Sequence, residues 1–256
     1  MAAVRGRRFG PNYRVDIGGI VHAMWKQFTS SLAQLPRGRQ HACHAEVNSL
    51  IGDVASIVRF AGKLMTNASA ALHQADLKFA ELVISDADET KARCKDADRR
   101  CLNLLVLRAS VATDLQMVVA AMHVVTDLQR MCNLAQQIAE IARLKHPNDP
   151  VAADVRPVSL QMGVLASSLA EDAAAAIESR DPLSAVRMAE VDAEVDELRR
   201  QIFQILYSED WSHGVEPAVN AALIGRYYER FADHAVAIAR EVTENRPEAD
   251  GGWVQA

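Results

Sequence analysis

The stretch "RYYERFADHAVAIAREV", Arg226 to Val242, carries the pattern on which the fold turns. Tyr228, Phe231, Ala235, Ile238 and Val242, with Ile224 just upstream, recur at spacings of three and four, the period of one buried face of an α-helix. Glu229 and Asp233 stand one turn apart, away from Phe231. Positions i and i+4 are neighbours on a helix, and like charges there cost on the order of a few tenths of a kcal/mol. A solvated face accounts for the pair, and so does a bound cation that offsets the repulsion.

The same helical period extends upstream. A first helix is expected over about Ala45–Gln74, with Leu50, Val54, Ile57, Phe60, Leu64, Ala68 and Leu72 as its stripe. Asp76 stands where an N-cap belongs and opens a second helix to about Arg108. A third, striped by Val118, Met122, Val125, Leu128, Met131, Ala135 and Ile138, ends at "KHPNDP", Lys145 to Pro150, where two prolines enforce a break. The fourth covers roughly Val151–Ser179. Asp181 as N-cap and Pro182 at the first helical position open a fifth, which reaches about Tyr207. The loop "EDWSHGVEP" precedes a sixth, about Ala218–Glu244.

Three helices, a Pro-rich break and three more helices indicate a duplication. A shift of 105 lays Asp76 on Asp181 and Ala80 on Ala185. A shift of 100 lays Arg130 on Arg230, Ala135 on Ala235, Ile138 on Ile238 and Ala139 on Ala239. The fold class read from this is all-α: two tandem antiparallel three-helix bundles, over residues 44–147 and 148–246. Residues 247–256 form a tail. Residues 1–43 form a basic extension, expected to be poorly ordered: Arg5, Arg7, Arg8, Arg14, Lys26, Arg37 and Arg39 face a single acid, Asp16, within the first 40 positions.

Composition agrees with helices. Half of the 256 residues are apolar but only 5% are aromatic, and alanine and leucine supply the difference. A net charge of −5 gives no general attraction to nucleic acid, so no nucleic-acid partner is expected. No apolar run reaches the ~18–20 residues that cross a bilayer. Cys43, Cys94, Cys101 and Cys132 form no C-x-x-C, and Cys94 and Cys101 lie too far apart along one helix for a disulfide. Reduced, buried thiols are the reading, in a cytoplasmic protein.

The helix before the closing one contains "MAEVDAEVDELRR", Met188 to Arg200, whose core stripe is Met188, Val191, Val195, Leu198, Ile202 and Ile205. Asp192 and Asp196 flank that stripe, again at i and i+4. Should the two pairs converge, Asp192, Asp196, Glu229 and Asp233 would repel one another unless a cation sat among them. Oxygen donors suit hard cations such as manganese, iron, magnesium or calcium. Arg199, Arg200, Arg226 and Arg230 are on hand to make the same carboxylates an ordinary salt-bridged surface. No Glu-x-x-His, G-x-S-x-G or P-loop occurs, and His234, beside Asp233, points about 100° round the helix and is a poor co-ligand. No catalytic apparatus is legible. A carboxylate-bridged metalloenzyme on a helical bundle stays as the alternative to a non-enzyme.

"RYYERFADHAVAIAREV" resembles the repeat of the PhoU family of phosphate-uptake regulators, in which Glu-Arg-x-x-Asp-His-Ala opens the closing helix segment of each bundle. "VATDLQMVVAAMHVVTDLQRMCNLAQQIA", Val111 to Ala139, is similar to the family's first copy, and "MAEVDAEVDELRR" to the preceding helix of the second. The resemblance spans roughly residues 45–245. It implies a cytoplasmic, non-catalytic adaptor that represses the phosphate-starvation response by linking the phosphate ABC transporter to its sensor histidine kinase. Such a protein is peripheral to the membrane only through those partners, and is expected to be a homodimer. The resemblance further implies iron or zinc clusters held by the acidic motif, with manganese also compatible with the donor set. The repeat shifts place Ala87, Lys91, Gln129 and Asn133 opposite Asp192, Asp196, Glu229 and Asp233. Any metal site is therefore expected in the second bundle alone.

Overall fold

The computed structural model describes residues 37–106 and 112–244. They form six α-helices and, among the described residues, no strand: α1 (Arg37–Gln74), α2 (Leu77–Val106), α3 (Ala112–Lys145), α4 (Arg156–Ser179), α5 (Ser184–Leu206) and α6 (Val215–Glu244). The basic extension lies outside the described residues up to position 36. Residues 37–43, assigned to it from sequence, instead continue α1. After Pro36 no proline interrupts the chain and Gly38 is only a weak breaker, so the helix runs beyond its apolar stripe. No helix among the described residues is long and apolar enough to cross a membrane.

The duplication is most visible at two turns. Ala75 ends α1 and Arg180 ends α4 in the left-handed region, at φ 50° and 52°. Each is followed by an aspartate that collects backbone N–H groups. Asp76 Oδ1 accepts from Lys78 at 2.8 Å and Phe79 at 3.1 Å, and Asp181 Oδ1 accepts from Leu183 at 3.0 Å. Neither left-handed residue is glycine, so each turn carries roughly 1 kcal/mol of backbone strain, which the capping bonds offset. Asp76 caps α2 as expected. Asp181 does not cap α5 directly: its carbonyl accepts from Ser184 at 3.1 Å, Pro182 and Leu183 make an intervening turn, and the helix begins at Ser184. Similarly α4 begins at Arg156, not Val151, because Asp149 takes the Val151 N–H at 3.2 Å and pairs with Arg156 ahead of Pro157 in the first turn.

α1, α2 and α3 pack on one another, as do α4, α5 and α6, in which α4 and α5 both contact α6. Two further seams, α1 with α4 and α3 with α6, join the bundles into one continuous apolar core. Both seams are antiparallel. Along α3 and α6, His123 meets Glu241, Asp127 meets His234 and Lys145 meets Glu216. Along α1 and α4, Arg59 meets Glu171 and Glu178, Ser69 approaches Gly163, and Ser159 meets His73. Interpolation along α3 and α6 sets Met131 level with Phe231, its own counterpart at the 100-residue shift, and both are fully buried. Close approach of α1 to α4 depends on missing side chains: a Cβ at Gly62 would stand 3.0 Å from that of Ala170, and one at Gly163 would stand 2.3 Å from Ser69 Oγ.

Candidate functional site

The acidic patch is built where α5 crosses α6. Val195, Leu198 and Ile202 of α5 and Ile224, Tyr228 and Phe231 of α6 are buried and hold the pair together. Gly225 lets Ile202 Cδ1 come within 3.0 Å of where its Cβ would be. That packing lays Arg199 against Glu229 and Asp192 against Asp233.

Glu229 differs from its outward placement in the sequence reading. It is only 7% exposed. Arg226, one turn earlier, donates to both of its carboxylate oxygens, at 2.6 Å to Oε1 and closer to Oε2. Arg199 Nε, from α5, stands 3.6 Å from Oε1, an ion pair too long for a hydrogen bond. That buried Nε has no hydrogen-bond partner, and the guanidinium lies over the Phe203 ring at 5.7 Å. Two arginines thus compensate the like-charge cost of Glu229 beside Asp233 without a metal.

The charges of two other carboxylates, Asp233 and Asp196, bear on Asp192. Asp196 and Asp233 are exposed, while Asp192 is half-buried. Burial pushes the Asp192 carboxyl up to about 6; Asp233 and Asp196 add repulsion, Glu229 adds less, and Arg240 opposes them. A hard cation fits this donor set in kind, since it would relieve a repulsion already present. It does not fit the side chains as they stand. Among the described residues no three His, Cys, Asp or Glu groups are arranged to hold a metal ion, and Glu229 is engaged by its arginines.

In the first bundle the counterpart surface carries its own cation. Lys91 Nζ donates to Asp88 Oδ1 at 2.9 Å and reaches Gln136 Oε1 on α3 at 2.5 Å, and Gln136 in turn donates to Glu140 at 2.9 Å. Ala87 is buried, Gln129 half-buried and Asn133 exposed.

Several polar contacts were not legible from spacing. His234, set aside as a co-ligand, places Nδ1 3.1 Å from Asp127 Oδ1 across the seam, and Arg130 pairs with the same oxygen at 3.1 Å. Fully buried Tyr228 donates its hydroxyl to Ser69 Oγ of α1 at 2.9 Å, beneath a cleft of about 370 Å³ between α1 and α4. Nearby, burial and then Arg156 hold the His73 imidazole down to about 4, hence neutral, with Nδ1 lacking a hydrogen-bond partner. These pairs depend on the register between bundles, which no single helix encodes. The hydroxyl of Tyr228 within an apolar stripe was the one available signal, since a buried phenol usually finds a partner.

Two three-helix bundles fused along antiparallel seams, with Asp192, Asp196, Glu229 and Asp233 of the second α-hairpin replaced by Ala87, Lys91, Gln129 and Asn133 in the first, define a tandem-repeat helical scaffold. The chain belongs to the PhoU domain family, whose model matches residues 54–142 and again 160–242, one copy in each bundle. It is 39% identical over 213 residues to the phosphate-specific transport system accessory protein PhoU homolog 1 of Mycobacterium leprae (strain TN), covering 82% of this chain and 96% of that protein. It is also 39% identical over 201 residues to PhoU homolog 2 of Mycobacterium tuberculosis (strain ATCC 25618 / H37Rv), covering 78% and 94%. The crystal structure of the phosphate transport system regulatory protein PhoU from Streptococcus pneumoniae shares the fold, with a TM-score of 0.72 at 22% identity over 79% of this chain and 96% of that one.

Proposed function

We propose that this protein is a non-catalytic accessory of phosphate transport. In this reading it links the phosphate ABC transporter to a sensor histidine kinase and keeps the starvation response off when phosphate is plentiful. The observation that carries this is the match of both bundles, at 39% identity, to relatives named as accessory proteins of the phosphate-specific transport system. Deleting the gene in its host should raise phosphate-starvation transcripts in phosphate-replete medium, and restoring the full chain should silence them. Unchanged transcripts after removal of every PhoU-family gene in the host would overturn the reading. The proposed homodimer is checked separately by light scattering, where a monomer mass at micromolar concentration would exclude it.

The acidic patch gives this adaptor a proposed cation site, which needs its side chains to swing together from the arrangement described above. Its donors are Asp192, Asp196 and Asp233, whose mutual repulsion supports the reading, with Glu229 left to Arg226 and Arg199. Iron, manganese and zinc are the candidates, and the oxygen donors favour the first two. Manganese added to chelated protein should raise its melting temperature, by about 2.7 kcal/mol of stabilisation at a hundredfold excess over the dissociation constant. Asp192→Asn with Asp233→Asn should abolish the rise, and substitutions at Gln129 and Asn133 should preserve it. A wild type indifferent to manganese and ferrous iron would leave the patch a solvated surface, without bearing on the adaptor role.

A further inference from the structure

The first bundle contains a pair of groups for which the second has no equivalent. The buried face of α2 is built largely of small side chains, Ala80, Ala87, Thr90, Cys94, Ala97 and Cys101. Helices with small facing residues approach closely, because interaxial distance follows the side chains at the contact. Opposite them α3 presents Cys132, Ala135 and Ala139, all fully buried. Cys94 and Cys132 are free thiols, completely buried, and stand level with each other across the antiparallel α2–α3 contact, one turn from Lys91 and Gln136, which meet across the same two helices. Cys101 stands two turns farther along α2. The repeat shifts put Arg199 opposite Cys94 and Ala232 opposite Cys132, so the second bundle lacks the pair.

We propose that Cys94 and Cys132 are a peroxide-responsive modification site, closing to an intrachain disulfide that ties α2 to α3. Their environments divide the labour. The hydrogen bond from Cys132 holds the Cys94 thiol below its ordinary value against the opposing effect of burial, and Arg93 helps. The same hydrogen bond, burial and the Cys94 charge push Cys132 well above its ordinary value. Of the two, Cys94 is the better placed to attack first and Cys132 to resolve.

In the first step Cys94 Sγ attacks one oxygen of hydrogen peroxide. The O–O bond breaks, hydroxide leaves and takes up the proton lost from Cys94, and Cys94 becomes a sulfenic acid. In the second, Cys132 Sγ attacks Cys94 Sγ and the S–O bond breaks. The departing hydroxide takes the Cys132 proton, giving a disulfide and a second water. Overall two thiols are oxidised to one disulfide and one peroxide is reduced to two waters. Because both sulfurs are buried, reaction waits on local opening of the α2–α3 contact, so it is slower than oxidation of an exposed thiol. Lys91 and Gln136, whose contact bridges the same two helices, flank the pair, so closure would lock that surface.

The test uses the full chain, reduced, freed of reductant and exposed to hydrogen peroxide. Free thiols titrated in denaturant should fall from four per chain to two, and a thiol reductant should restore all four. Peptide mapping without reduction should find the Cys94 and Cys132 peptides joined, in wild type and in Cys101→Ser alike, and absent in Cys94→Ser. Mapping of the wild type carries the test even where Cys94→Ser folds poorly. Four thiols persisting after prolonged exposure to millimolar peroxide would overturn the proposal. So would Cys94 recovered as sulfinic acid beside unmodified Cys132, or either sulfur joined to Cys43 or Cys101.

Discussion

Replacing Asp192 by asparagine should make the metal-free protein more stable. Folding takes this carboxyl from an ordinary value of 3.8 up to about 6, through burial and then through Asp233 and Asp196. The folded protein thus holds the Asp192 proton more tightly than the unfolded chain does. Stability from this group falls as pH rises from about 4 to about 6, and the whole penalty is present above that. At about 1.4 kcal/mol per unit the rise corresponds to roughly 3 kcal/mol. The side chain is half-exposed, and solvent screening reduces that to about 1 kcal/mol. Asp192→Asn removes the charge while keeping the shape. Urea unfolding in chelator at about pH 7.5 should show the variant more stable by about 1 kcal/mol at unchanged m, a gain of roughly 2–4 °C in Tm. The gain should vanish near pH 4, where aspartate is protonated in the fold. A variant less stable than wild type at neutral pH would refute the reasoning, as would one gaining equally at both pH values.

His73 should produce a pH limb of the opposite sign. Its folded value is depressed to about 4, so its contribution is fully present above about pH 6.5 and is lost as pH falls toward 4; His73→Gln should flatten that limb in urea midpoints. Gly163→Ala should destabilise by about 2 kcal/mol in thermal melts despite alanine's better helix propensity, because the new methyl meets Ser69 Oγ at 2.3 Å and the Tyr228 hydroxyl at 3.2 Å. Tyr228→Phe should cost about 1–2 kcal/mol by denaturant titration, since it deprives Ser69 of its 2.9 Å partner in a buried site.

What sequence could and could not reveal divides along one line. Among the described residues periodicity located each of the six helices, because each buries one stripe, and the worn repeat gave the tandem arrangement through residues such as Asp76 and Asp181. Helix ends moved where side-chain turns compete with regular structure, at Asp149–Arg156 and Asp181–Ser184. The acidic residues were legible as spacing, and the charges of Asp233 and Asp196 bear on Asp192. The burial of Glu229 was not, because it depends on Arg199 arriving from another helix and Arg226 folding back over it. The Cys94–Cys132 contact and the Asp127–His234 bridge were hidden for the same reason: each joins residues whose meeting depends on how whole helices are registered.

The antiparallel seams have a bearing on valency. Two identical bundles related by a twofold would meet through the same faces, and here those faces are joined within one chain, with Met131 and Phe231 level at the midpoint. The surface that would have made each half recognise its twin is thus consumed internally. α2 and α5 take part in neither seam, so they are the equivalent positions left to face other molecules. They no longer match: one hairpin presents Lys91 and its amide chain, the other Asp192, Asp196 and Asp233. A single chain of this design offers two unlike faces in fixed relative orientation, the arrangement that the proposed link between two different partners would need.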